Sequence, residues 1–312
     1  MNEHRLISIV LVTFIAVFGM ATGSHGQDLL SKPTIFVFKR PLAKGAVGKK
    51  QAYRNKGQRQ RLSNSRNPDV AATASPASNR NSSVRPAPAV QEQIGVTMWK
   101  LRPEVSGETG ARLLTMAKQS DAPAKFVAER IELDTTFVKG DKVRISVESP
   151  RAGYLYVVDR ELKKNGTLGD PYLIFPTLRT RGGDNSVGAG MVIELPAQTD
   201  NPFYFDITPM EEDYAGEMLT ILISPTKIEG LTLGNDPIKL PAALVAEWER
   251  KWEKPATAFE LEGGTGQKYT EDEKVAGTGA RQLTHKSPSP QSVLIVEAPK
   301  SSAFMVSFPM RV

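Results

Sequence analysis

Between residues 126 and 225 apolar side chains recur at every second position, without the three-to-four spacing of an amphipathic helix. That period commits the stretch to strands, because a strand turns successive side chains to opposite faces whereas a helix gathers every third or fourth. Lys142-Val143-Arg144-Ile145-Ser146-Val147-Glu148 is the clearest instance: Val143, Ile145 and Val147 make one face and predict a half-buried strand. Upstream, Ile131 and Leu133 alternate with Arg130, Glu132 and Asp134, and Lys139-Gly140-Asp141 offers a turn, so the pair predicts an antiparallel hairpin. Segment 154–158 is apolar on both faces and predicts a central strand. Segments 172–175, 191–195, 203–207 and 218–223 follow, separated by clusters of Gly, Pro, Asp and Asn. Strands in series with no helix between them predict a mainly β fold, an immunoglobulin-like antiparallel β-sandwich.

The flanks extend this body. Segments 96–101 and 112–116 predict additional edge strands. Pro241 opens a helix in which Leu244, Val245, Trp248 and Trp252 share a face and Glu247 can pair with Lys251 one turn on. Thr270 with Glu273 reads as the capping box of a second, short helix. Segment 293–296, a Pro299-Lys300-Ser301-Ser302 turn and the alternating run Phe304, Val306, Phe308, Met310, Val312 predict a terminal β-hairpin. The domain reading is a signal peptide over 1–26, a linker over 27–95, a β-sandwich with its C-terminal helix over 96–262, and a short helix and hairpin over 263–312, packed on the body.

The chain has 40 Lys and Arg against 34 Asp and Glu and a net charge of +6, but the charge is unevenly placed. Residues 28–90 hold 13 basic and 2 acidic side chains, so the remainder from 91 onward is net acidic at -5. The first residues pair His4 and Arg5 with an uncharged apolar run from Leu6 to Met20 and small residues that offer cleavage after Gly23 or Gly26, the pattern of a secretory signal peptide. An uncleaved anchor is the rival reading, although 15 residues fall short of the span a bilayer requires. Residues 43–90 contain few large apolar side chains, too few to offset an ordering entropy of about 1–2 kcal/mol per residue, so disorder is predicted there. Lys44, Lys49, Lys50, Arg54, Lys56, Arg59 and Arg61 make its first half polybasic; residues 67–90 have the Ala, Ser, Asn and Pro composition of a spacer. The basic cluster is either a salt-sensitive adhesive for anionic envelope components, with peripheral contact to a membrane surface, or a solvated linker. Nucleic acid is not an expected partner, since Tyr53 is the single aromatic among these charges.

Gly140-Asp141, Val143-x-Ile145-x-Val147, Gly153-Tyr154-Leu155-Tyr156, Phe175-Pro176 and Asp184-Asn185-x-Val187-x-Ala189-Gly190 together resemble the pattern of the bacterial domain of unknown function 4384. The resemblance covers residues 126–225. Trp99-Lys100-Leu101-Arg102-Pro103 and the Trp248 helix are similar to flanks of longer, exported members. The resemblance implies a small β-sandwich, often appended to peptidase-like or kinase-like modules, without an established activity or catalytic residues. The chain departs from the pattern in an insert between two strands over 159–171, read as a loop, and in Thr177 where many relatives carry Asn.

Reactive chemistry is sparse. The absence of cysteine removes disulfides, Cys nucleophiles and thiolate metal sites, and His4, His25 and His285 are the only imidazoles. Ser224-Pro225-Thr226-Lys227 matches S-x-x-K, but its proline and the strand before it argue for a strand end. His285 sits in a loop sequence. Glu211, Glu212, Asp213 and Glu217 could collect a hard cation, or form a charged loop. Thr180-Arg181-Gly182-Gly183-Asp184-Asn185 places Arg181 beside two glycines with Arg179 near it, so Arg179, Arg181, Asp184 and Asn185 are candidate binding residues; the competing reading is a turn satisfied by its own side chains. No cofactor motif is present. The sequence thus predicts a non-enzymatic interaction module of the cell envelope, exported to the periplasm or beyond, whose partner is another exported protein or an anionic envelope component. The alternative is an accessory or regulatory subunit of an exported peptidase-like enzyme.

Overall fold

A computed structural model of the chain describes residues 88–105, 113–116, 124–208, 212–274 and 279–312. The signal peptide and the polybasic residues Lys44 to Arg61 lie outside the described residues. The elements are β1 (Ala89–Pro103), β2 (Leu113–Met116), β3 (Ala124–Ile131), β4 (Lys142–Glu148), β5 (Gly153–Lys163), β6 (Tyr172–Phe175), β7 (Ser186–Val187), β8 (Met191–Leu195), β9 (Phe205–Asp206), β10 (Tyr214–Ser224), β11 (Ile238–Lys239), α1 (Ala242–Trp252), β12 (Ala256–Glu260), α2 (Glu271–Lys274), β13 (Ala280–Gln282), β14 (Ser292–Pro299) and β15 (Phe304–Arg311). Among the described residues the strands form two antiparallel sheets, a nine-stranded one built on β12-β14-β1-β4-β8-β13 and a six-stranded one built on β11-β6-β5-β10-β15. The mainly β, two-sheet sandwich is therefore present, with more strands than the seven of an immunoglobulin constant domain. No described helix is long and apolar enough to cross a membrane.

Ile94, Val96 and Met98 of β1, Val143, Ile145 and Val147 of β4, Leu155 and Val157 of β5, Leu219, Ile221 and Ile223 of β10, and Phe304 and Val306 of β15 fill the space between the sheets. The alternation seen in the sequence is the inner face of each strand. Each sheet is also covered outside. Helix α1 lays Val245 and Trp248 on Tyr156, Val158 and Leu222 of the smaller sheet, with the Glu247–Lys251 pair on its exposed side. The larger sheet is covered by Phe203, Tyr204 and Tyr269, packed on Trp99, Leu101 and Phe126.

That second cover overturns the half-buried reading of β4, because Arg144, Ser146 and Glu148 are buried as well. Residues 264–269 run antiparallel beside β3, Gly266 donating to the carbonyl of Arg130 at 2.9 Å and Tyr269 to that of Ala128 at 3.2 Å, which brings the Tyr269 ring to 6.0 Å from the Arg144 guanidinium. Arg144 pairs with Glu194 at 3.1 Å and Arg130 pairs with Glu273 at 2.5 Å, every partner almost wholly buried. The Tyr269 hydroxyl donates to Glu194, whose carboxyl burial pushes upward against the pull of Arg144. The capping box forms as read: Thr270 N–H donates to Glu273 Oε2 at 2.9 Å, and Glu273 N–H to Thr270 Oγ1 at 3.3 Å.

Four other expectations change. β1 begins at Ala89, inside the stretch assigned to the linker, because its first half pairs with β14 from Ala89↔Pro299 to Val96↔Ser292. β1 is central rather than an edge, with β4 on one side and β14 and β3 on the other. β3 pairs with β1 and β2, so β3 and β4 flank β1 instead of forming a hairpin. β14 and β15 do not pair with each other either. β14 joins β1 and β12 in the larger sheet while β15 joins β10 in the smaller, so the 299–302 turn is an arch across the sandwich. Arg151 holds that arch: its guanidinium donates to the carbonyls of Pro299 at 3.0 Å, Lys300 at 3.1 Å and Ser302, pairs with Glu92 at 3.3 Å, and lies 4.6 Å from the centre of the Phe304 ring.

Candidate functional site: an acidic cavity between the sheets

β5 and β10 are neighbours in the smaller sheet, with Leu219 opposite Asp159 and Glu217 opposite Glu161. Alternate residues share a face, so Leu155, Val157, Asp159 and Glu161 point one way along β5, and Ile223, Ile221, Leu219 and Glu217 point the same way along β10. The apolar members of both rows belong to the central core. The core-facing surface of this sheet therefore turns from apolar to acidic toward one end, and three carboxyls face the gap between the sheets.

A cavity of about 250 Å³ opens there, walled by Val143 and Ile145 of β4, Ile174 of β6, Leu219 of β10 and Met310 of β15, with Tyr204, Phe205 and Asp206 at its side and Asp159 and Glu217 in its lining. A second cavity of about 260 Å³ is lined by Asp159, Glu161, Asp170, Tyr172, Thr208, Tyr214 and Glu217. Asp159 and Glu217 line both, so the apolar and acidic chambers adjoin at these two side chains. Taken together they are of small-molecule size, about 300–1,000 Å³ being the usual range.

The electrostatics are unbalanced. Asp159 Oδ1 and Glu161 Oε1 are shielded from solvent and accept no hydrogen bond. Burial pushes the Asp159 carboxyl well above the usual carboxylate range, and the neighbouring Glu217 charge pushes it further. Glu217 is raised by burial too, with Glu161 adding to the rise and the Tyr214 hydroxyl, donating to Glu217 Oε1 at 2.8 Å, working against it. Burial, and then Glu217, raises the Tyr214 phenol. The surrounding lysines are engaged elsewhere: Lys142 with Asp206, Lys239 with Asp170, and Lys163 with Asp213 at 3.4 Å. Arg160, on the opposite face of β5, pairs with Glu249 of α1 at 2.9 Å. Among the described residues no cation pairs with Asp159, Glu161 or Glu217.

A glycine fits Tyr214 into this arrangement. The β5–β10 register shifts between Tyr214 and Gly216, and Gly216 has φ 140° with its backbone against β15. A Cβ there would stand 1.9 Å from the Met310 carbonyl oxygen, so no other residue allows the approach.

The sequence-derived candidates fall elsewhere. Arg179 pairs with Asp236, and Arg181 pairs with Asp184 at 2.7 Å while donating to the Ser186 carbonyl at 3.2 Å. Ser186 donates to Asp184 Oδ1 from its N–H at 2.9 Å and its hydroxyl at 2.6 Å; these bonds, ahead of Arg181, hold the Asp184 carboxyl below its ordinary range. Asn185 is buried and donates to the Leu155 carbonyl at 2.9 Å. The four residues are thus brought together, but each spends its polar atoms on the turn or its neighbours, with Arg181 in a left-handed conformation at φ 56°. Ser224 closes β10 and donates to the Thr226 carbonyl at 2.6 Å, as a strand end. His285 is exposed in a turn.

The acidic cluster of the sequence divides. Glu211 lies outside the described residues, the Glu212 carbonyl accepts from Lys164, Asp213 faces Lys163, and Glu217 alone of the described members enters the cavity. Among the described residues no three Asp, Glu or His side chains are placed to hold a metal ion.

Asp159 and Glu161 escaped sequence reasoning because 159–171 reads as a loop insert, whereas β5 continues to Lys163. The available signal was the unbroken parity from Leu155 and Val157 into Asp159 and Glu161. No family model, curated protein or solved structure matches this chain.

Proposed function

We propose that the protein is a non-enzymatic binding module, exported to the bacterial cell envelope, and that its acidic cavity captures a cationic group of its partner. The observation that carries this reading is Asp159: a solvent-shielded, unpartnered carboxyl oxygen in a cavity where, among the described residues, no cation pairs with Glu161 or Glu217 either. Such a group costs stability, and clefts that hold perturbed carboxyls are where sites occur. Binding is favoured over proton-transfer catalysis because burial raises Asp159 and Glu217 together instead of separating one acid from one base. Among the described residues no Ser, Cys or His lines either chamber.

The exported setting rests on the N-terminal pattern and on the resemblance of 126–225 to domain 4384, and the polybasic segment from Lys44 to Arg61 serves as a tether to anionic envelope components. Calorimetry on the full chain with hexylammonium and hexanoate tests the site. Heat with the cation, none with the anion, and loss of the signal in Glu217→Gln is the expected result; equal response to both ions overturns the reading. Co-sedimentation with anionic vesicles at low and high salt tests the tether, and salt-independent or absent binding refutes it.

A further inference from the structure

Resting on the cationic-site reading, we infer that the group captured is an ammonium carried on an unbranched aliphatic stem, as in a lysine side chain or an alkyl diamine, with the stem in the apolar chamber and the nitrogen at Asp159 and Glu217. Two independent features point there. The first is the junction of unlike chambers. Val143, Ile145, Ile174, Leu219 and Met310 give the first chamber an aliphatic and thioether wall beside Tyr204 and Phe205; of its carboxyls Asp206 is taken by Lys142, while Asp159 and Glu217 stand where the second chamber begins. A small inorganic cation would leave the apolar chamber to water, and a wholly apolar ligand would leave the carboxyls uncompensated.

The second is the distribution of vacant acceptors. The unpartnered oxygens are single atoms on separate side chains, Asp159 Oδ1 and Glu161 Oε1, and Glu217 Oε1 already accepts the Tyr214 hydroxyl. A guanidinium is a rigid planar fork that matches both oxygens of one carboxylate, whereas an ammonium is a compact charge with three rotatable donors that can serve separate acceptors. A quaternary ammonium carries the charge but no donor and would leave Asp159 Oδ1 unsatisfied.

The test is calorimetry on the full chain at neutral pH with ethyl-, propyl- and butylammonium, butylguanidinium and butyltrimethylammonium. Affinity is expected to rise about fourfold per added methylene, the equivalent of burying a CH₂, and to fall at least about tenfold for the guanidinium and the quaternary ion, the loss of about one charged hydrogen bond. Asp159→Asn, which removes an unpaired charge and so retains the fold, should abolish the preference for primary ammonium. Nα-acetyl-lysine amide beside 1,5-diaminopentane distinguishes a peptide side chain from a free diamine. If no organic cation binds, both this inference and the reading beneath it fail. If all the cations bind alike, without dependence on stem length or head group, the ammonium assignment alone is overturned and the cationic site stands.

Discussion

Replacing Asp159 by Asn should make the protein more stable, and the gain should depend on pH. The wild-type side chain places an oxygen without solvent or a hydrogen bond beside the Glu217 and Glu161 carboxyls. Leaving a buried acceptor unsatisfied costs about 1–3 kcal/mol, more when it is charged. The isosteric amide removes the charge and its repulsion, and gives Glu217 a donor. The folded-state pKa of Asp159 is raised above its unfolded value, so between those two values the native state holds more protons than the unfolded state, and stability falls as pH rises through the window. Below the unfolded value the wild type carries no penalty; above the folded value it carries all of it. The variant should match the wild type near pH 4 and exceed it by about 1–3 kcal/mol at pH 8, and for a body of this size each kcal/mol is about 2–4 °C in Tm. Urea unfolding followed by tryptophan fluorescence from pH 4 to pH 9 measures the difference directly. A variant less stable than wild type at pH 8, or a difference that does not change with pH, would refute the placement of Asp159 with a shielded, unpartnered Oδ1.

Removing the arch clamp should be costly: Arg151→Ala should lose at least about 1.5–3 kcal/mol, as expected for charged hydrogen bonds, with faster amide exchange at residues 300–305. Burial raises Glu92 and Arg151 opposes the rise, so the loss should grow as pH increases and Glu92 ionises without its partner; thermal melts across pH check this. Breaking the fully buried Arg144–Glu194 pair from one side, as in Glu194→Gln, should cost about 3–5 kcal/mol, while Arg144→Met with Glu194→Leu should recover much of it. A double-mutant cycle in urea decides the matter, with additivity as the adverse outcome. Gly216→Ala should destabilise by at least about 1–3 kcal/mol through backbone strain and weaken alkylammonium binding by displacing Tyr214; a silent substitution would exclude the close β10–β15 approach.

The local signals in the sequence were sufficient wherever the structure is local. Period two identified the inner rows of β4 and β10, 154–158 proved to lie in the middle of its sheet, and Thr270 and Glu273 specified their capping box three residues apart. What failed was non-local. Arg144, Ser146 and Glu148 look like the wet face of a strand until distant residues such as Phe203 and Tyr269 pack against Arg144 and Trp99 against Ser146, and no feature near residue 144 announces that cover. A four-residue turn between two alternating runs suits a hairpin and an arch equally, so the sequence could not tell that β14 and β15 enter different sheets. The site was hidden for a related reason: an acidic residue on an inward position is indistinguishable by pattern from one on an outward position, and only the placement of β6, β9 and β15 around Asp159 encloses it.

The order in which the larger sheet can be assembled has a consequence for how the chain folds. β1, the first described strand, lies at the centre of that sheet, and one of its flanks is filled by β14, with Gln291 N–H donating to Thr97 Oγ1 across 194 positions of sequence. β15 then closes the smaller sheet against β10. Contacts so distant in sequence make folding slow, since the closure entropy must be met before the pairing is rewarded. Neither sheet of the described body is complete until β14 and β15 have been made, so β1, β4, β5 and β10 must each wait for partners far along the chain.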